Sequence, residues 1–334
     1  MPPEPDPREP ALVFATFDIA AGKWGAGVAR ADGSQSRALP LPLENTGGDP
    51  PDIAIRQVRW SPDGGRIVYA ASFTGNDNWY LVLTDVAGTF KRLLTHRGGY
   101  MEDAQWSPAG DRLLYHWGGF VGGRGGQVIQ TAIVDTLGQA RDFFIPDDGG
   151  LFEGERVHFG LLPWPDSSAP LPALYDASWA PDGIHLYVVG SIGRRAWDPE
   201  LRAEEVELFL VSAATGEVID RVTRNDVPEW SARISPDGTR VLVPIWPDTW
   251  AEHPAGGAFV MPLQGQAADL RVVLEPFSLL DLPAWSTDGA YLTFTRPIGE
   301  GGYPRIFSYH PATGTERVTA ASGFWPHLYR RPQF

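Results

Sequence analysis

The sequence predicts an all-β fold, a six-bladed β-propeller in which each blade holds four antiparallel strands. Three observations lead to this prediction: a Trp-Ser-Pro-Asp-Gly-like unit recurs along the chain, strand-like runs separate its copies, and the chain ends supply the strands of one further blade. We expect residues 11–330 to form a single propeller domain and residues 1–10 to form an extended or disordered tail.

The repeated unit is explained by turn geometry. Its five copies start at Trp60, Trp106, Trp179, Ile234 and Trp285. Proline sets φ for the second position of a tight turn, Asp tolerates the third, and glycine takes the positive φ that follows. The preceding tryptophan is large enough to fill the wedge between blades, which contributes about 1.5–3 kcal/mol by burial. We therefore interpret the aspartates of these turns as structural rather than catalytic.

The runs between the units account for four strands in each blade. After each turn comes a run rich in β-branched and aromatic residues, over 66–72, 112–117, 185–191, 240–246 and 291–296. A second run, a turn ending in glycine and a third run follow, for example 79–86, Gly88 and 90–95. Together with the strand that ends at the tryptophan of the unit, these runs give each blade four strands.

The chain ends predict the sixth blade and the closure of the ring. Runs 12–17, 25–30 and 36–41 correspond to the second, third and fourth strands of a blade, and 324–329 corresponds to a first strand. Pairing these segments removes the sheet edges that an open array of blades would expose. Leu12 and Leu328 should therefore lie close together.

Composition and missing motifs exclude several functional classes. The formal charge of −14 disfavours nucleic acid as a partner, and the absence of cysteine excludes disulfides and thiolate chemistry. No apolar run reaches the roughly 18 residues of a membrane span, and no basic region leads into an apolar signal segment. The chain lacks a Gly-x-Ser-x-Gly elbow, a phosphate-binding glycine loop and a His-Glu-x-x-His motif.

The repeats resemble those of TolB, a protein of the bacterial cell envelope, and of the propeller domains fused to prolyl-oligopeptidase-type hydrolases. The resemblance rests on the repeated turns, on Asp85 and Asp135 before glycine turns, and on Arg92-Leu93-Leu94-Thr95. It implies the propeller fold over residues 11–330 and favours an extracytoplasmic location. The TolB N-terminal domain and a hydrolase domain have no counterpart in this sequence.

Aromatic residues in the long loops indicate a binding rim. Loops between second and third strands and between blades should emerge on one face, and the longest is the Gly/Pro-rich stretch 146–176. The candidate rim residues in these loops are Trp164, Trp197, Trp250 and Tyr303. Such residues either form a surface for a protein, peptide or glycan, or fold back to cover the blades.

Charged residues just before the repeated units are candidates for a channel mouth. They are Arg56, Glu102, Asp103, Asp176, Glu229 and Asp281. Sixfold arrangement would bring them together, where the acids could bind a divalent cation such as calcium or a basic peptide segment. The alternative interpretation is that they are solvated loop residues or salt-bridge partners.

Two functional hypotheses follow. The first is a non-enzymatic scaffold that binds a protein or an extended peptide at the rim and needs no cofactor. The alternative is a hydrolase or lyase that acts on a glycan or lactone, with channel carboxylates as acid and base or as metal ligands. The fold alone does not distinguish them, because propellers support both binding and catalysis.

Overall fold

The computed structural model confirms the predicted fold class, with six sheets of four antiparallel strands arranged as the blades of a β-propeller. One sheet carries a further hairpin. The structure describes residues 11–20, 23–39, 54–72, 79–94, 100–120, 127–141, 148–159, 177–194, 205–227, 229, 231–245, 257–274, 283–296 and 304–329. No helix in these ranges is long and apolar enough to cross a membrane.

Two compact units can be distinguished within the chain. One comprises Met1–Tyr115, Val134–Ala140 and Leu280–Phe334, and the other comprises His116–Ile133 and Arg141–Leu279. Each side-chain contact described below joins residues of the same unit. The expectation of a single domain over residues 11–330 stays a prediction.

The blade that contains both chain ends has the strand order β26-β1-β2-β3. Its strands are β1 (Leu12–Asp18), β2 (Lys23–Ala29), β3 (Arg37–Ala38) and β26 (Phe324–Leu328). Leu12 is the direct partner of Leu328 in the antiparallel pair β1–β26. The predicted closure through the chain ends is therefore confirmed.

The next two blades follow the repeat in chain order. The first holds β4 (Ala54–Trp60), β5 (Ile67–Ser72), β6 (Trp79–Thr84) and β7 (Lys91–Leu93). The second holds β8 (Tyr100–Trp106), β9 (Arg112–Phe120), β10 (Gln127–Asp135) and β11 (Ala140–Arg141). Their outermost strands are only three and two residues long, so each presents a short edge.

The third repeat carries an insertion that adds a hairpin to its sheet. The hairpin is β12 (Asp148–Phe152) and β13 (Glu155–His158), and the blade continues with β14 (Ala177–Trp179), β15 (His185–Ile192), β16 (Val206–Ser212) and β17 (Val218–Arg221). β14 pairs with one half of β15, while β13 pairs with its end at Ser191 and Ile192. Part of the predicted long loop 146–176 is thus a hairpin.

The last two blades return to the four-stranded pattern. One holds β18 (Arg233–Ile234), β19 (Arg240–Ile245), β20 (Gly257–Pro262) and β21 (Arg271–Leu274), and the other holds β22 (Ala284–Trp285), β23 (Leu292–Arg296), β24 (Arg305–His310) and β25 (Thr315–Ser322). A 3-10 turn at Ala267–Asp269 precedes β21.

Hydrogen bonds within each repeated unit hold its turn in place. In the first copy, Asp63 Oδ1 accepts from Ser61 Oγ at 2.5 Å and from the Gly65 N–H at 3.0 Å, and Ser61 Oγ accepts from the Arg66 N–H at 2.9 Å. Partial burial raises the pKa of Asp63, but these hydrogen bonds and the Arg66 charge outweigh it and lower the pKa overall. The aspartate is an ionised acceptor within the turn.

The same turns make the contacts between consecutive blades. A Cβ atom added to Gly238 would lie 2.6 Å from the Pro181 ring of the preceding turn, and one added to Gly64 would lie 2.5 Å from the Tyr329 ring. Gly64 and Gly238 both have φ of +70°. The glycine therefore serves two purposes, since it adopts the left-handed conformation and admits the neighbouring ring.

This double role predicts unequal costs for two glycine substitutions. Gly238→Ala should destabilise the protein by the roughly 1–2 kcal/mol of a left-handed alanine plus the cost of displacing Pro181. Gly314→Ala is the matched control, because Gly314 has φ of +67° but no atom of the described residues within 4 Å of an added Cβ. Thermal unfolding should show the larger loss for Gly238→Ala. Equal losses would mean that Pro181 moves away without cost.

His327 holds the closing strand to both neighbouring blades. Its Nδ1 accepts a hydrogen bond from the Trp60 N–H of β4 at 3.0 Å, and the ring also bonds to the backbone of Trp285 in β22. Full burial and then the charge of Arg59 lower the pKa of His327 from 6.5 to about 3, although the bond to Trp285 opposes them. The imidazole is neutral and structural at any physiological pH.

The depressed pKa of His327 predicts a loss of stability in acid. Between pH 6.5 and about 3 the unfolded chain binds a proton that the folded chain does not. Stability should therefore fall by up to about 1.4 kcal/mol per pH unit from this residue. His327→Gln, which keeps an acceptor for Trp60, should show a shallower acid slope in denaturant titrations. Identical slopes in the two proteins would contradict the assignment.

Candidate functional site

Four aromatic side chains meet at one end of the closing blade. Phe17, Trp24, Phe324 and Trp325 form this aromatic cluster. Trp24 is central, with ring centroids 5.0 Å from Phe17, 5.4 Å from Phe324 and 5.7 Å from Trp325, the last in a near-parallel stack with an interplanar angle of 30°. These separations are within the range of favourable aromatic pairs.

Strand register brings the cluster together. Phe17 and Trp24 are direct partners in the antiparallel pair β1–β2, and Phe324 begins β26 on the other side of β1. Rings held on strands lose little conformational freedom when they meet a ligand, because the backbone already fixes their direction. The cluster is therefore a pre-organised surface and not a loop that must fold on contact.

Trp325 has a backbone conformation that bulky residues rarely adopt. Its φ is +46°, and the register of β1 with β26 shifts between Val13 and Ala15. Gln57 has φ of +53° beside a similar shift in β4. Gln57 uses this position to accept a hydrogen bond from the Ala104 N–H, whereas at Trp325 the same conformation directs a tryptophan into the cluster. A strained aromatic residue of this kind is a functional candidate.

The surroundings of the cluster are open and mixed in charge. All four rings are partly exposed, and Ile19 in the β1–β2 connection is 74% exposed. Asp18 and Lys23 are exposed partners at the end of the same hairpin. The cluster lies at the end of β1 and at the beginnings of β2 and β26. The β1–β2 loop, which joins the second and third strands of this blade, and the segment that leads into β26 therefore lie at the same end of the blade. The sequence predicts the binding face at such connections.

Arg56, a candidate for the channel mouth, makes a contact within its own blade, and its place at a channel mouth stays a prediction. It lies in β4, and its guanidinium group stacks 4.7 Å above the ring of Trp79, which is 92% buried. A cation over a tryptophan face is stabilised by the ring quadrupole. This contact gives Arg56 a packing role within its blade.

Glu229 lies in the interior and not in solvent. Its side chain is 0% exposed and accepts hydrogen bonds from Thr223 and Asn225. Burial first, and the nearby charge of Glu207 as well, raise the pKa of Glu229 from 4.5 to about 8, while the two hydrogen bonds lower it by less. Glu229 is therefore a buried acid, and its place at the predicted channel mouth stays a prediction.

The side chains of the other predicted site residues lie outside the described part of the structure. Glu102 and Asp103 belong to β8, but their side chains lie outside the described part of the structure. The remaining candidates also fall outside the described residues: Asp176, Asp281, Trp164, Trp197, Trp250 and Tyr303. Among the described residues, no group of three or more His, Asp or Glu side chains is placed to hold a metal ion. The calcium hypothesis stays a prediction.

The chain is similar to several solved structures at low sequence identity. TolB from Acinetobacter baumannii shares 14% identity with a TM-score of 0.61, over 98% of this chain and 68% of that chain. A TolB-like protein from Agrobacterium tumefaciens shares 14% identity with a TM-score of 0.48, over 93% and 88%. A chain from a structural study of two prolyl endopeptidases shares 15% identity with a TM-score of 0.44, over 89% of this chain and 46% of that chain.

The comparisons confirm the resemblance seen in the repeats. The TolB structure of Acinetobacter baumannii has the same fold over nearly the whole of this chain. No protein-family model matches the sequence, and no curated protein matches it. At 14% identity the structural similarity establishes the fold alone, so the function has to be argued from the residues of this chain.

Proposed function

We propose that the protein is a non-catalytic scaffold that binds a protein or an extended peptide at the aromatic cluster. The observation that carries the proposal is the group of four partly exposed rings from three strands, placed beside the exposed Ile19. Half-buried tryptophans account for much of the binding energy at protein interfaces, where they supply large contact areas at low entropic cost. Such a surface suits a peptide that lays apolar side chains across it.

The charge of the chain supports a peptide with basic residues. The formal charge is −14, and Asp18 is exposed beside the cluster. A negative field attracts a positively charged partner and raises its association rate. The predicted rim residues Trp164, Trp197, Trp250 and Tyr303 extend this proposal to the long loops, and the acids Glu102, Asp103, Asp176 and Asp281 extend it towards a channel.

Binding at the aromatic cluster can be tested with defined peptides. An array of synthetic extended peptides, varied in proline, aromatic and basic content, would identify a binding sequence whose affinity is then measured by fluorescence anisotropy. Trp24→Ala should weaken that affinity by about 30-fold or more, the loss typical of a central interface tryptophan. Leu151→Ala, at a residue that is 71% exposed on β12, is the control and should leave the affinity unchanged.

Two outcomes would overturn this proposal. If Trp24→Ala folds with a cooperative melt and binds the peptide as tightly as the unmodified protein, the aromatic cluster is not the site. If no peptide in the array binds saturably while an oligosaccharide array does, the ligand class is wrong and the glycan-directed alternative is favoured.

The proposed location is the bacterial cell envelope, outside the cytoplasm. The similarity of fold to TolB motivates this part of the proposal. Fractionation of cells of the source organism, with antibody detection of the native protein, should place it with periplasmic or envelope markers. Recovery with cytoplasmic markers alone would contradict the location and would leave the binding proposal to be judged by the peptide measurements.

A further inference from the structure

A group of polar side chains is buried between β16 and the segment that leads into β18, which we call the connector. Glu207 in β16 and Glu229 in the connector are 2% and 0% exposed. Thr223 and Asn225 of the connector are also buried, and Arg221 at the end of β17 faces Glu207. We name Glu207, Glu229 and Thr223 the carboxyl pair site. It is independent of the aromatic cluster and belongs to the other compact unit.

Charge balance argues that one of the two carboxyl groups carries a proton. The Arg221 guanidinium donates to Glu207 Oε1 at 2.7 Å. Among the described residues, the charged group that acts on Glu229 is Glu207, which is itself paired with Arg221. One positive charge compensates one carboxylate, and a second buried carboxylate without a counterion would cost several kcal/mol. Protonation of Glu229 removes this cost.

The hydroxyl group of Thr223 lies where it can connect the two carboxyl groups. Its Oγ1 is 2.5 Å from Glu229 Oε2 and accepts a hydrogen bond from the Leu208 N–H at 2.9 Å. Glu207 Oε2 is buried and has no hydrogen-bond partner of ordinary geometry among the described residues. Burial raises the pKa of Glu207, and Thr223 is among the groups that lie close enough to oppose that rise. A protonated Glu229 that donates to Thr223 frees the hydroxyl hydrogen for Glu207 Oε2.

We propose that Glu207 and Glu229 form a single proton-binding site in which Thr223 relays the hydrogen bond between them. In the protonated state, Glu229 Oε2–H donates to Thr223 Oγ1, and Thr223 donates to Glu207 Oε2. When a base in solution removes the proton, the Thr223 hydroxyl turns and donates to Glu229 instead. The site then holds two carboxylates and one guanidinium group.

Loss of this proton would act on a connection between two blades. The two N–H groups of the Asn225 side chain donate to Glu229 Oε1 and to the Gly265 carbonyl, each at 3.1 Å. Asn225 Oδ1 accepts from the Val227 N–H at 2.8 Å. Glu229 thus orients an amide that joins the connector to the turn after β20. Repulsion between two carboxylates would loosen the connector at alkaline pH.

The raised pKa of Glu229 sets the pH range over which this site changes the stability of the protein. Burial raises its pKa to about 8, against 4.5 in the unfolded chain, and burial also raises the pKa of Glu207 despite Arg221. Between these values the folded chain holds a proton that the unfolded chain has released. The unfolding equilibrium constant should therefore rise by about tenfold per pH unit from this site as pH increases through that range.

Infrared spectroscopy and unfolding measurements on the full chain test the proposal. At pH 6.5 the carbonyl stretch of a protonated carboxylic acid should be present, should disappear on raising the pH through 8, and should be absent in Glu229→Gln. Glu229→Gln, a neutral isostere, should also lose the tenfold dependence per pH unit between pH 5 and 8. Glu217→Gln, at an exposed glutamate of the same blade, should behave like the unmodified protein.

Thr223 variants test the relay separately. Thr223→Val removes the hydroxyl and should shift both the carbonyl frequency and the midpoint of its titration, whereas Thr223→Ser should retain both within error. Exchange of the Leu208 and Val227 amides, corrected for intrinsic rates, should accelerate above pH 8 and not in Glu229→Gln. Should Glu229→Gln fail to fold, Thr223→Val still decides the relay. No protonated carboxyl signal at pH 6.5, or one that survives in Glu229→Gln, would overturn the proposal.

Discussion

Pairing between the two chain ends is the constraint on which the closing blade depends. No hairpin joins β26 to β1, so this sheet must be held by contacts between segments more than 300 residues apart. The register Leu12 with Leu328 is extended by the hydrogen bond from the Tyr329 N–H to the Ala11 carbonyl at 2.6 Å. His327 adds bonds to the blades on both sides. Because loop closure over such a length costs much entropy, these contacts have to act together.

Local turn chemistry explains why the fold was predictable from the sequence. Ser61, Asp63 and Gly64 satisfy one another within a five-residue unit, and Ser235 with Asp237 repeats the same bonds at 2.5 Å in a distant copy. A motif that folds through its own hydrogen bonds marks the same point of every blade. The ends of strands were predicted less well, since β3 is Arg37–Ala38 where a run over 36–41 was expected. Outer strands have few partners to fix their length.

Long-range contacts explain what the sequence analysis missed. Phe17, Trp24 and Phe324 were each assigned to or beside a strand, but their meeting depends on the β1–β2 register and on the closure through β26. A signal was available, because all three stand at the same end of predicted strands of one blade. Glu229 was harder to interpret, since its partner Glu207 belongs to another strand and an acid before a repeated turn is ordinarily solvated.

The closing blade combines the weakest covalent connectivity with the aromatic surface, and this has a thermodynamic consequence. Phe17 and Trp24 come from the first strands, whereas Phe324 and Trp325 come from the last strand. A ligand that contacts rings from both chain ends binds only when β26 is paired with β1. Binding and closure are thermodynamically linked. The ligand stabilises the closed blade, and closure of the blade strengthens ligand binding, by the same free energy. A strained Trp325 in the closing strand fits this arrangement, because its conformation is held by the contacts that join the two ends.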